Sequence, residues 1–231
     1  LKLIRAKNYN DYLNAVSAFT CPGQNFVFAD KAGDIAIRQQ GVFPALWYRQ
    51  GDFVMPGDDS SYAWRGYIPD SLNVIMHNPQ RGFVSSANQC PYNPFVYPYY
   101  IPGSYSLYRG WLINRNLSSM QNITTDDMEK LQTNYYNLLA EKGRPLLMRF
   151  IDSSKLEDTD KKYLSILASW NLMNDAASTG ATIFKLWTDS SISKIYGDEL
   201  KQSNLPMPKI EPSTLLKNIL INLISNAIKF S

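Results

Sequence analysis

Between Pro91 and Ser106 the chain reads PYNPFVYPYYIPGSYS, four prolines interleaved with aromatic side chains. Proline has no backbone N–H to give a helix and its ring clashes with the turn before it, so no regular helix crosses this stretch and it reads as an extended aromatic loop. The patterns on its two sides differ in kind. Before it, the segment from Ala6 to Phe19 places Tyr9, Tyr12, Leu13 and Val16 on one helical face. NFVFAD, the turn KAGD with Gly33, and IAIRQ then alternate as the arms of a hairpin. From Gly41 to Pro69 the chain is rich in Gly, Pro, Trp and Tyr without periodicity, which predicts an ordered irregular segment whose aromatics are buried. GFV, at Gly82 to Val84, reads as a short strand running through SSA to Asn88.

Helical periodicity dominates after the loop. SYSLYRGWLINRNL is the first such stretch, and TTDDMEKLQTNYYNLLAEKG follows with a Thr N-cap, acids in the first turn and Gly143 as its stop. Further helices are predicted around Arg144 to Ile151, Asp158 to Trp170, Ala181 to Tyr196 and Leu215 to Phe230. The expectation is therefore an α+β chain, with a β-hairpin-containing N-terminal part followed by a helical part.

Composition narrows the function. A chain of 231 residues with 45% hydrophobic and 19% charged side chains has the makings of a sizeable core. The net charge of +3 comes without a dense Lys/Arg cluster, which argues against a nucleic-acid partner. No apolar run is long enough to span a bilayer, so no membrane partner is expected either. Aromatics make up 13% of the chain, 15 of them tyrosine, favouring large contact surfaces or an aromatic-lined pocket.

Cys21 and Cys90 allow at most one intrachain disulfide and make no structural zinc site by themselves. His77, the sole histidine, reads as a packing or surface residue. No nucleophile elbow accompanies it, no glycine loop cradles phosphate, and the acids sit mostly on helical faces. Asn88, at the end of its predicted strand, is either a turn residue or a side-chain N–H donor aimed into a site.

Four pieces taken in order are more specific than any one of them. NFVFADKAGDIAIRQQGVFP, MPGDDSSYAWRGYIP, HNPQRGFVSSANQCP and YSLYRGWLINRNL resemble the β-subunit of the penicillin acylase family of N-terminal nucleophile hydrolases. The later ASWNLMNDAASTGATIFKLW is similar to the helices of that family, and the likeness runs roughly from Leu3 to Leu205. The resemblance implies a partial αββα fold and an enzyme that hydrolyses a non-peptide carboxamide. Such a substrate would be the side-chain amide of a penicillin, a cephalosporin or an N-acyl-homoserine lactone, attacked by an N-terminal serine through an acyl-enzyme. It further implies that Asn88 donates its amide to the oxyanion hole and that Arg109 orders the active site. Trp47, Trp64, Tyr97, Tyr99 and Tyr100 are candidates for a substrate channel.

Three features depart from the family pattern. The nucleophile is expected to lie outside this chain, which begins at Leu1, so the remainder of the β-subunit and the α-subunit of the same precursor are the implied partners. The family's structural calcium has a carboxylate ligand between the positions matching Asn88 and Arg109; this interval contains no Asp or Glu, so no cofactor is expected from this fragment. LLKNILINLISNAIKFS resembles the N-box helix of sensor histidine kinases, with Asn222, Asn226 and Lys229 at the nucleotide-serving positions. Residues 1–210 are accordingly read as the acylase-like part and 211–231 as an amphipathic helix of uncertain origin. Two alternatives follow: a non-catalytic acylase-derived scaffold whose aromatic loop, Tyr92 to Tyr108, grips a ligand, or a fusion ending in a kinase ATP-binding helix. Export to the periplasm or beyond the cell is implied by the family alone.

Overall fold

The computed structural model describes residues 1–103, 105–207, 210 and 214. Contacts divide the chain into two units, Leu1–Asn122 and Ile123–Ser231. The predicted helix from Leu215 to Phe230, with its kinase-like asparagines, lies outside the described residues, as does nearly all of the proposed 211–231 segment.

In the first unit, α1 (Tyr9–Val16) starts where the Asn8 side chain accepts the Asp11 N–H, which satisfies one of the helix's orphan donors. It is shorter than the 6–19 segment the periodicity suggested, and it buries the face that periodicity marked, with Tyr12 and Val16 at the centre. The hairpin forms as predicted: β1 (Gln24–Ala29) pairs antiparallel with β2 (Ile35–Gln40), Phe28 opposite Ala36 and Phe26 opposite Arg38. Asp30 Oδ1 accepts the N–H groups of Ala32 and Asp34, and Gly33 takes the left-handed φ of +97° that closes the turn. β3 (Ile75–His77) adds to the far side of β2, giving the order β1-β2-β3. Asn78 extends the pairing past the strand end by exchanging two bonds with Ile35, through its own N–H and its side-chain oxygen.

Alternation sends Phe26, Phe28, Ala36 and Arg38 to one sheet face, where α1 packs on them. Val27, Ala29, Ile35 and Ile37 fall on the other face together with Met76, and Val27 is 63% exposed there.

Beneath α1 the sheet carries a polar knot. Arg38 and Gln40 are buried on β2, and both reach the short 3-10 turn Asp70–Leu72. Arg38 Nη2 donates to the Asp70 carboxylate at 2.8 Å and to its carbonyl at 2.9 Å, while Gln40 Nε2 donates to the other carboxylate oxygen at 2.9 Å. Burial pushes the Asp70 carboxyl up, but the Gln40 hydrogen bond and the Arg38 charge outweigh it and hold it below the usual carboxylate range. A depressed native value means that the stability this group contributes is present above its unfolded value of about 3.9 and is lost as pH falls through the native value. Melting temperature measured against pH should therefore show an acid-side drop that Asp70→Asn makes shallower; an unchanged acid limb in the variant would refute the coupling.

Two sequence expectations fail in this unit. Residues 83–86 run without a ladder partner, and the strand lies instead at Ile75–His77, where β2 offers a free edge. The Gly41–Pro69 segment is irregular as expected, tied by single bridges such as Pro44 with Tyr67, but its aromatics are not all buried: Tyr48, Phe53, Trp64 and Tyr67 are largely exposed. Density of aromatics predicts a need for contact, and here neighbouring rings and Arg side chains meet part of it, as with Tyr48 on Tyr100 and Arg49 over Phe53.

The second unit is helical. α2 (Leu107–Ser119) closes the first unit, and α3 (Thr125–Gln132) opens the second with a reciprocal capping box between Thr124 and Asp127. The single long helix expected from Thr124 to Gly143 is two. Asn137 N–H donates to Leu172 O, the Asn174 N–H donates to Tyr135 O, and Asn137 Oδ1 caps α4 (Leu138–Met148), so cross-chain bonds hold residues 133–137 out of the helix. Gly143 is buried inside α4 and does not stop it, and Pro145 is accommodated within it. α5 (Asp158–Ser169) and α6 (Thr179–Gln202) follow, the latter six residues longer at its C-terminal end than predicted. Their core is Ala140, Leu147, Leu167, Trp170, Leu172 and Phe184. The α+β order read from the sequence is borne out. Among the described residues no helix is long and apolar enough to cross a membrane.

Candidate active site

Beyond the proline-rich loop the chain becomes helical at Leu107, and α2 turns Gly110, Asn114 and Leu117 inward, one residue per turn. That face meets the 85–89 segment. Ser85 Oγ donates to Asn114 Oδ1 at 2.6 Å, and Gln89 lies flat over Gly110. Ala87 is buried, and Asn88 follows it with a φ of +59°, a left-handed conformation that asparagine tolerates better than most residues.

Arg109 comes from α2 to fix this corner. Its Nη2 donates to Ala87 O at 3.1 Å and to Asn88 Oδ1 at 2.6 Å. A guanidinium has no acceptor, so the Asn88 amide has to face it with oxygen, and the NH₂ end is turned away from Arg109 as a ready donor. The two residues singled out from sequence are thus brought together, with the arginine setting which end of the amide is presented. Both side chains are exposed in this chain.

Asn88's neighbours Ser85, Ser86 and Gln89 line a cavity of about 670 Å³ together with Ile37, Gln39 and Asn73, and Asn88 and Arg109 themselves stand outside its lining. Of the five aromatics proposed as channel residues, only Tyr97 lines it; Trp47, Trp64, Tyr99 and Tyr100 do not. Burial, then neighbouring Tyr99 and Tyr92, push the Tyr97 phenol up, so at neutral pH it is a hydrogen-bond donor, which it gives to Leu72 O at 3.0 Å. Tyr100 is pushed up to about 12, chiefly by the hydrogen bond its hydroxyl donates to Asp52 at 2.8 Å. Neither phenol is placed to act as a base.

His77 stacks flat on Tyr9, with ring centroids 3.6 Å apart, and serves as the packing residue the sequence suggested. Cys21 and Cys90 are both free thiols. No three His, Cys, Asp or Glu side chains among the described residues form a metal-holding group, and the acid-free interval between Asn88 and Arg109 supplies no carboxylate. Sequence reasoning missed Ser85, Gln89, Gly110 and Asn114. The one trace of them was the small residue and the amide placed one and five positions after Arg109, a spacing that puts them on a common helix face.

The family model described as penicillin amidase matches residues 1–228, and the chain belongs to that family. Penicillin G acylase of Escherichia coli is 22% identical over 206 residues, covering 83% of this chain and 24% of the relative. An acyl-homoserine lactone acylase of Pseudomonas putida is 33% identical over 87 residues, covering 38% of this chain and 11% of that protein. Among solved structures, a thermostable penicillin G acylase from Alcaligenes faecalis superimposes with a TM-score of 0.64 at 19% identity, over 84% of this chain and 36% of its own. The chain therefore spans about a quarter or less of the length of these two curated relatives.

Proposed function

We propose that this chain is part of the β-subunit of an amidohydrolase that cleaves a small, non-peptide carboxamide, and that Asn88 is the oxyanion donor of its acyl-transfer chemistry. The observation that carries this reading is the orientation of the Asn88 amide: Arg109 takes its oxygen, leaving an N–H pair on a left-handed corner beside a cavity. In the reaction, an N-terminal serine supplied by a part of the precursor outside this chain attacks the carbonyl carbon, with its own α-amine as base. The carbonyl oxygen becomes an oxyanion and receives the Asn88 hydrogen bond, the amine leaves, and water releases the carboxylic acid from the acyl-enzyme. A neutral donor held in place costs little reorganisation as charge develops, which is why such donors lower barriers.

The sheet face bearing Val27, Ala29, Ile35, Ile37 and Met76 is consistent with an αββα sandwich in which α1 is one outer layer and a second sheet, from the rest of the precursor, covers this face. The substrates named for the relatives, penicillin G and acyl-homoserine lactones, support a substrate with an acyl group joined through an amide to a ring-bearing amine. The site would work after export, in the periplasm or outside the cell.

Expression of the complete precursor followed by intact-mass measurement tests the reading. Two chains, the second beginning with Ser, Thr or Cys, are the expected result. A single uncleaved chain without amidase activity would overturn it.

A further inference from the structure

The Asn88 amide is set by Arg109 from one side, and the backbone that carries it is held from the other side by Gln89. Gln89 Oε1 accepts the Ala87 N–H at 2.6 Å, and Gln89 Nε2 donates to Ser85 O at 3.2 Å. Its amide orientation is therefore fixed at both ends, by a backbone donor and a backbone acceptor. With Arg109 on Ala87 O, both polar backbone groups of the residue before Asn88 are occupied by side chains. Residues 83–86 have no ladder of their own, so these side-chain bonds, with Ser85 on Asn114 and Asn25 on Ser86, are what fix the segment.

Gly110 makes the arrangement possible. A Cβ there would stand 3.3 Å from Gln89 Oε1 and 3.4 Å from its Cβ and Cδ, so glycine lets Gln89 lie this close to α2, and a methyl group would push it away by a few tenths of an ångström.

We infer that Gln89 is a positioning residue: by clamping Ser85 O and the Ala87 N–H over Gly110, it holds the left-handed corner that aims the Asn88 amide. It acts through Asn88 and does not itself touch the reacting atoms. The inference rests on the reading of Asn88 as oxyanion donor for its catalytic consequence, while the geometric claim stands on the bonds alone.

Two measurements separate these. In the ¹⁵N-labelled intact enzyme, Gln89→Met, close in shape but without either hydrogen bond, should shift and broaden the Asn88 side-chain NH₂ signals and the Arg109 guanidinium signals. Gly110→Ala, which keeps both bonds and displaces Gln89 by a few tenths of an ångström, should move the same signals less, and it covers the case in which Gln89→Met does not fold. In the intact precursor, Gln89→Met should lower kcat about 10- to 100-fold with KM little changed, as misplacement of a transition-state donor does. The Asn88→Ala, Gln89→Met double variant should lose no more than Asn88→Ala alone, because the two act as one unit.

Unmoved Asn88 signals in both variants, or kcat losses that simply add, would overturn the inference and leave Gln89 a structural residue that only lowers melting temperature. Shifted signals together with an Asn88→Ala enzyme of unchanged kcat would instead sink the oxyanion reading while upholding the clamp.

Discussion

Asn88→Asp in the intact precursor is expected to lower kcat by about 10²- to 10³-fold while leaving KM nearly unchanged, the usual cost of losing one oxyanion donor. Aspartate is the informative replacement. It tolerates the left-handed φ of +59° almost as asparagine does, and it keeps an oxygen for Arg109 Nη2, now as an ion pair. The corner is thus preserved or tightened, and melting temperature should hold or rise slightly. What disappears is the N–H pair, and a carboxylate takes its place against the developing negative charge. Asn88→Ala removes the same donor but also strains the backbone and leaves Arg109 with one partner fewer, so it mixes two effects. Steady-state kinetics with the melting curve of each variant decides the matter. A stable Asn88→Asp enzyme with full kcat would mean that Asn88 is only a turn residue, the alternative that its sequence position always allowed.

The hairpin with Gly33 in its turn, the buried face of α1 and the Thr N-cap of α3 were legible because each depends on residues close in sequence. The errors came where distant groups decided the outcome. The break at residues 133–137 is made by bonds to residues 172 and 174, which no local pattern announces. GFV has strand-forming residues but no edge to pair with here, whereas Ile75–His77 has β2 beside it. At the candidate site, Asn88 and Arg109 were singled out only through the order of four motifs resembling a family. Local chemistry left Asn88 undecided between turn and donor, and it is the guanidinium arriving from α2, 21 residues later in sequence, that fixes which end of the amide is presented. Gln89 escaped for the same reason: its partners are backbone groups, which carry no sequence signature.

In the helical unit, Trp170→Ala is expected to cost about 3–5 kcal/mol, the range for truncating a large buried aromatic. Trp170 is 8% exposed at the C-terminus of α5, its ring 5.9 Å from that of Phe184. Its indole N–H donates to Met173 O at 2.9 Å, and its carbonyl accepts Arg144 Nη1 at 2.8 Å. The indole therefore both fills the core and ties down the turn that carries the 172–174 bonds to residues 135–137. Trp170→Phe keeps most of the ring and loses the N–H bond, so it should cost less, with about 1 kcal/mol of its loss from that bond. Gly180 faces the ring so closely that a Cβ would stand 2.4 Å from Trp170 Cγ, and Gly180→Ala alone should destabilise by about 1–3 kcal/mol through overpacking. Combined, Trp170→Ala and Gly180→Ala should cost less than their sum, because the new methyl enters the space the indole has left. Urea unfolding followed by the helical circular dichroism signal measures all four variants. Strict additivity of the pair would show that Gly180 and Trp170 do not meet.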